Sequence, residues 1–584
     1  MKTLHLFQAV IARPTDQDIL VLPEGYIIEP GARWAEEAIK AFYAEEKLDG
    51  FGLNKTFHKS WQQIHNSTRL ELWEEQVRHY ASTYGSNFRD VIYIPGEVLN
   101  VPDTKLVFKL IKAYTAEEMT NKCLTLLRAG LALKETTLDD ILTILVDELG
   151  YQFDGKEGIK NKEAIVKIAD MYGVLPQDTM TFLRYLIYRA TGESLLIKNE
   201  ETIAAIKAST FNPAVLMQDF GLEKLATIFN RFKPLFLAFK PRCAKTINKL
   251  SKLSKKHHQP LVTNPLNSVT SVLLTEQDRH WLDNATPFAL FKALTACHTR
   301  KQGQHAFAYR IRNGKSFVKK GRISGVVWPN YDFLLAYLKE RFDLTNKRFF
   351  LPHNVEYALP TSEKMYVGHI PTGTRFTGKA LAVGIYWENA GGATDLDLSG
   401  LNVGGKIGWN ADYKQGQGEL LYSGDITNAP NGAVEYLYAQ NGLQAPTLVQ
   451  NNVFSGAGNC EYKIIVGQGD NIDHKYMMNP NKLMVETKCQ SIQRQTILGI
   501  LIPEKAQQCF VLLNFGAGQA HVSGNSEVSR LATQALFQQW ERPLSFRELI
   551  VELGGVVAAQ PTQADYDFSL DKLQKDSFLR VFTA

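Results

Sequence analysis

The sequence predicts a multidomain α+β chain: an N-terminal α/β unit, a helical basic middle and a C-terminal β-sandwich. Three observations carry that expectation. The chain has 584 residues, more than one hydrophobic core sustains. Apolar positions recur at helical spacing behind capping signals from about 105 to 350. From about 351 to 524 glycine, asparagine and alternating β-branched residues take over.

Residues 1–104 read as a small α/β unit. DILVLP and GYIIEP precede a helical GARWAEEAIKAFYAEEK, then come a helix through LELWEEQVRHYASTYG and a strand, DVIYIPG. The VPD at 101–103 marks a boundary. Residues 105–224 read as helices. Thr115-x-x-Glu118 forms a capping box, Thr137 leads LDDILTILVDELG, which stops at Gly150, and TMTFLRYLIYRATG again stops at a glycine. Helix–turn–helix units of this length suggest a stacked α array, without a clean period. Residues 225–350 hold a basic helical region with one β-hairpin. Residues 351–530 are the sandwich, with turn signals at Gly404-Gly405, Asn431-Gly432 and Asn441-Gly442. The tail, 531–584, returns to helix, with Ser545-x-x-Glu548 as a second capping box.

No apolar run reaches eighteen residues, so no transmembrane helix is expected. The N-terminus lacks the apolar length and small-residue cleavage site of a signal peptide. The six cysteines are scattered without a C-x-x-C pair, which fits reduced thiols and a cytoplasmic setting rather than a zinc site or disulfide framework.

Charge is more informative. The net charge of +5 conceals residues 225–331, where 19 Lys and Arg face only Glu276, Asp278 and Asp283; the other 477 residues carry −11. Such separation speaks of a partner. In KTINKLSKLSKKHH, Lys245, Lys249, Lys252 and Lys256 fall within about 60° on a helix and span about 16 Å. Ile247, Leu250 and Leu253 point away. Arg231, Lys233, Lys240 and Arg242 lie just upstream. In AFAYRIRNGKSFVKKGRI, Asn313-Gly314 signals a hairpin; Arg310 and Arg312 alternate with Phe307, Tyr309 and Ile311, and Lys315, Lys319, Lys320 and Arg322 follow. A cationic row with aromatics suits phosphate contact and base stacking, so RNA is the expected partner. The alternatives are an acidic protein, an anionic lipid, the chain's own acidic parts, or a plain solvated face.

GGATDLDLSG sets Asp395, Asp397 and Ser399 on one strand face about 7 Å apart, with Leu396 and Leu398 in the core. Two carboxylates there imply either a solvated strand edge or a cation between them. AVGIYWENAGGATDLDLSGL followed by LYSGDITNAPNGAVEYLY resembles the tellurium-resistance TerD family over about 381–524, a quarter of the chain. The resemblance implies a calcium-binding β-sandwich of stress- and phage-related operons, with Asp395, Asp397 and Asp425 as ligands. The dense acidic run that the family carries after its Gly-Asp turn is absent; only Glu435 remains, with Asp470 and Asp473 as replacement candidates.

The enzymatic candidates are His58, His65, Glu75 and His79, which lack zincin spacing; no Walker loop, nucleophile elbow or dinucleotide fingerprint occurs. The expectation is a non-enzymatic RNA-binding protein, stress-related and within a ribonucleoprotein, with the sandwich as accessory. Its basic helices joined to a metal-binding domain are analogous in architecture to Ro-type RNA-binding proteins. The rivals are a ter-type stress or phage-defence scaffold that meets calcium, protein partners, a membrane or a second copy of itself, and a hydrolase centred on the N-terminal histidines.

Overall fold

The computed structural model describes every residue except 24, 58–60, 85–108, 261–262, 303–306, 313–314, 321–324, 391, 410, 441, 457–459, 470–477, 492–493, 517–539, 541–542 and 583–584. The N-terminal sheet has four strands, in the order Ala9–Ile11, Lys109–Tyr114, Tyr26–Ile28 and Leu20–Leu22. Lys109–Tyr114 runs parallel to both neighbours. The helix Glu36–Glu46 covers this sheet by laying Ile39 and Tyr43 on Tyr26, Ile28 and Ile111. The unit therefore does not end at 104. A parallel partner must return from a crossover, so local turn composition could not locate it.

The Thr115/Glu118 capping box opens the helix Ala116–Arg128 as expected. The next helix starts earlier than expected, at Glu135 with Lys134 as its cap. Thr137 instead donates its hydroxyl to Glu363 at 3.1 Å. Thr179–Thr191 does stop on a left-handed Gly192. Packing divides the helices near 165, not at 224. Met119, Cys123, Leu127 and Ile141 join a core continuous with the sandwich. Phe182, Leu186, Phe229, Phe236, Ile247 and Leu250 form their own core. Lys162–Tyr172 serves both, with Ala164 and Ile168 in the first and Val166 and Ala169 in the second.

The β-rich part is two sheets face to face. The first runs Gly405–Gly408, Asp395–Asn402, Thr447–Ser455, Gln495–Pro503, Gln508–Gly516, Arg375–Gly378, Val355–Glu356; the second runs Lys414–Gln415, Leu420–Tyr422, Ala433–Ala439, Leu381–Trp387, Glu461–Gln468, Leu483–Gln490. Neighbours within both are antiparallel. The basic hairpin, Phe307–Arg312 with Lys315–Lys320, pairs Arg312 with Lys315 and meets the first sheet through Lys315 and Gly516.

The tail is not purely helical. After the capped helix Phe546–Glu552, Val556–Val557 and Tyr566–Asp567 flank Arg348–Phe350 in a parallel three-stranded sheet. Two-residue strands leave no periodicity to read. Phe546, Phe568, Phe578 and Phe582 then close the main core.

Candidate metal centre and basic face

The Asp395–Asn402 strand is paired with Thr447–Ser455 from Asp395 to Leu401, but with Gly405–Gly408 only from Ser399 onward. A bulge at Phe454 falls opposite the step from Asp395 to Leu396, a common device for re-aiming side chains beside a site. Leu396 and Leu398 are fully buried, as alternation predicted. The opposite face is dry as well: Asp395 is 3 % exposed, Asp397 2 % and Ser399 1 %. The expected alternative, acids facing solvent at a strand edge, does not describe them.

Asp425 arrives from the second sheet, in the turn after Leu420–Tyr422, and is equally buried. Each of the three aspartates offers a carboxylate oxygen, and these oxygens lie within 4.8 Å of one another. Asp395 Oδ1 and Asp397 Oδ2 are buried without a hydrogen-bond partner. At that spacing two ionised carboxylates repel by about 3.5 kcal/mol even at an effective dielectric of 20. Burial, followed by the Asp425 charge, lifts the Asp395 carboxyl to about 8. Burial, then Asp395 and Asp425, lifts Asp397 to about 9. The nearby Lys406 is itself pushed down to about 8 by burial, against the pull of Asp397 and Asp425, and its ammonium sits 4.5 Å from the Trp409 ring centre. One weakened cation does not balance three acids.

Two side chains hold the loops that deliver these aspartates. Asn389 Oδ1 accepts from the N–H of Thr394, just before Asp395, at 3.0 Å and from Ala429, just past Asp425, at 3.1 Å. Glu435, fully buried, accepts from the N–H of Leu398 at 2.8 Å, the N–H of Ile426 at 2.9 Å and the Tyr422 hydroxyl at 2.8 Å. Gly424 has φ +98°, and a Cβ there would meet the Phe57 ring at 2.8 Å. The turn is thus packed against the N-terminal segment, where Thr56 also donates to the Ser423 carbonyl at 3.4 Å.

The donor set is hard oxygen. Oxygens bound at 2.3–2.6 Å on opposite sides of one ion stand about 4.6–5.2 Å apart, so the spacing and the orphaned oxygens fit a divalent cation. Among the described residues no other group of three His, Cys, Asp or Glu converges in this way. Asp470 and Asp473 lie outside the described residues.

The lysine row is on the helix Lys240–His257. Lys245, Lys249, Lys252 and Lys256 are exposed, while Ile247 and Leu250 are buried and Leu253 half-buried. The four have no ion pair among the described residues. Arg231, Lys233, Lys240 and Arg242 are exposed too; Arg242 donates to the Ser209 carbonyl at 3.0 Å, and Arg231 lies over Phe232 at 5.0 Å. Arg310, Arg312, Lys315, Lys319 and Lys320 sit on the hairpin strands; Arg322 is outside the described residues.

The N-terminal histidines are not gathered into one site among the described residues. His65 is exposed on Trp61–Asn66. His79, on Arg69–Tyr84, packs 5.0 Å from the Phe57 ring centre, and burial lowers its pKa. Burial raises that of Glu75. His58 lies outside the described residues. Sequence reasoning missed Asn389, Lys406 and the inward role of Glu435. Only the polarity of Glu435 among apolar strand neighbours could have flagged it. No helix among the described residues is long and apolar enough to cross a membrane. Compared with known proteins, the chain matches no family model, no curated protein and no solved structure.

Proposed function

We propose that the chain is a binding protein rather than an enzyme: its sandwich holds a divalent cation on Asp395, Asp397 and Asp425, and its basic helix binds RNA. One observation carries the cation site, namely three buried carboxylates converging with orphaned oxygens on Asp395 and Asp397. The hard oxygen donors suit calcium and magnesium alike; calcium is proposed because the segments resemble the calcium-binding TerD family. The cation's chemistry here is charge neutralisation; the chain's part is to present the carboxylates and exclude water from them. Calcium is expected to raise the melting temperature of the wild type and leave that of the doubly substituted Asp395→Asn/Asp397→Asn chain unchanged. Equal responses in both would refute the assignment.

The RNA half rests on a separate observation, the four exposed lysines on a helix anchored by its apolar side. Opposed charge, a narrow row and rigid backing match a phosphate backbone. Purified protein free of nucleic acid, with no RNA affinity at low salt, would refute it. The rival scaffold reading draws on the same cation site, with the basic face turned to a protein or membrane; the RNA assay separates the two.

A further inference from the structure

Glu435 is the one acid left where the resemblance leads to a run of them, and its position gives it a different task from the aspartates. It belongs to Ala433–Ala439 in the second sheet, yet it reaches across to the first. Its Oε2 takes the N–H of Leu398, the residue after Asp397, and its Oε1 takes the N–H of Ile426, the residue after Asp425. The Leu398 N–H lies on the strand edge that Gly405–Gly408 leaves uncovered, so without Glu435 it would be a buried orphan donor. The Tyr422 hydroxyl fixes the carboxylate from a third side. One carboxylate therefore clamps a strand of the first sheet to the turn that carries Asp425, at amides each one residue away from a ligand.

We propose that Glu435 is the positioning residue of the cation site: it sets the separation of Asp397 and Asp425 by bridging the amides of Leu398 and Ile426. This rests on the cation reading above. Outer partners of this kind typically contribute 10–100-fold to metal affinity. The geometry also predicts which replacements fail. Glutamine keeps the shape but turns an NH2 towards one of the two amides, so it holds one backbone and loses the other. Aspartate keeps the carboxyl group but is a methylene too short to span both.

The test is calorimetric titration of calcium into the wild-type chain, Glu435→Gln and Glu435→Asp, with melting of each in chelator. The expected result is binding by the wild type and 10–100-fold weaker binding by both variants. A merely structural role would lower the chelated melting temperature and leave affinity alone. Wild-type affinity in E435Q overturns the inference while the cation site stands. Wild-type affinity in E435D alone shows that a carboxyl group suffices without bridging the two amides, and also overturns it. No calcium binding by the wild type overturns the cation reading and this inference with it. Should E435Q not fold, E435D decides by the same criterion.

Discussion

At the scale of single residues, the candidate centre is built from acids that burial and one another make reluctant to ionise. Burial first, then the neighbouring carboxylates, lifts the Asp395 and Asp397 carboxyls from an ordinary 3.8 to about 8 and 9. A raised carboxyl pKa means that the favourable contribution is fully present below about pH 4 and is lost as pH climbs through 8 and 9. Melting in chelator is therefore expected to decline between pH 5 and 9, and Asp395→Asn/Asp397→Asn is expected to flatten that decline. In calcium the ions compete with protons, so the calcium-induced upshift is expected to grow with pH over the same range. An upshift independent of pH would contradict proton–cation competition. Gly424→Ala probes the turn itself: its positive φ and the Phe57 contact predict a loss of about 1–3 kcal/mol in denaturant melts together with weaker calcium binding. Asp395 and Asp397 were legible in the sequence because alternation and spacing are local; Asp425 was pointed to only by the resemblance. The clamp by Glu435 was not legible, since Leu398 and Ile426 reach it only when two sheets pack.

At the scale of elements, the basic helix is the part proposed to meet RNA. Its apolar side enters the core of Phe229, Phe236 and Leu250, leaving the lysine side to solvent, so exchanging the four lysines leaves the helix docked. Replacing Lys245, Lys249, Lys252 and Lys256 with alanine is expected to reduce the salt slope of RNA binding by about 2.8–3.6 in log–log terms, at roughly 0.7–0.9 per phosphate contact. Filter binding at several salt concentrations checks this; an unchanged slope would place the contact elsewhere. Elements with local signals were readable. Both capping boxes open helices where Thr115 and Ser545 stand, and Gly192 ends one. Thr137 misled because a threonine before an apolar run looks the same whether it caps a helix or, as here, donates to a distant glutamate. The tail strands were invisible because their partner, Arg348–Phe350, lies two hundred residues away.

At the scale of the whole molecule, the chain is laced by contacts that no sequence window contains. Glu363, 0 % exposed, pairs with Lys575 of the tail at 2.7 Å and also accepts from Thr137 and from the Lys134 amide. It thereby joins the first helices, the approach to the sandwich and the C-terminus. Breaking one half of a buried pair typically costs about 3–5 kcal/mol, so Lys575→Met is expected to lose that much in denaturant unfolding; a loss under 1 kcal/mol would mean the pair is not closed in solution. One core joins residues on both sides of 224, Phe182 and Leu186 with Phe229 and Leu250, and Lys162–Tyr172 is shared between this core and the main one. The aspartate cluster belongs to this scale as well, since Phe57 and Thr56 brace the turn that carries Asp425. The most direct measurement of the central claim is the metal content and calcium response of the purified full chain. One divalent ion per chain, removed by chelator with a fall in melting temperature and restored by calcium but not in Asp395→Asn/Asp397→Asn, is the predicted result. A chain that carries no ion and melts at the same temperature in chelator and in millimolar calcium would contradict it.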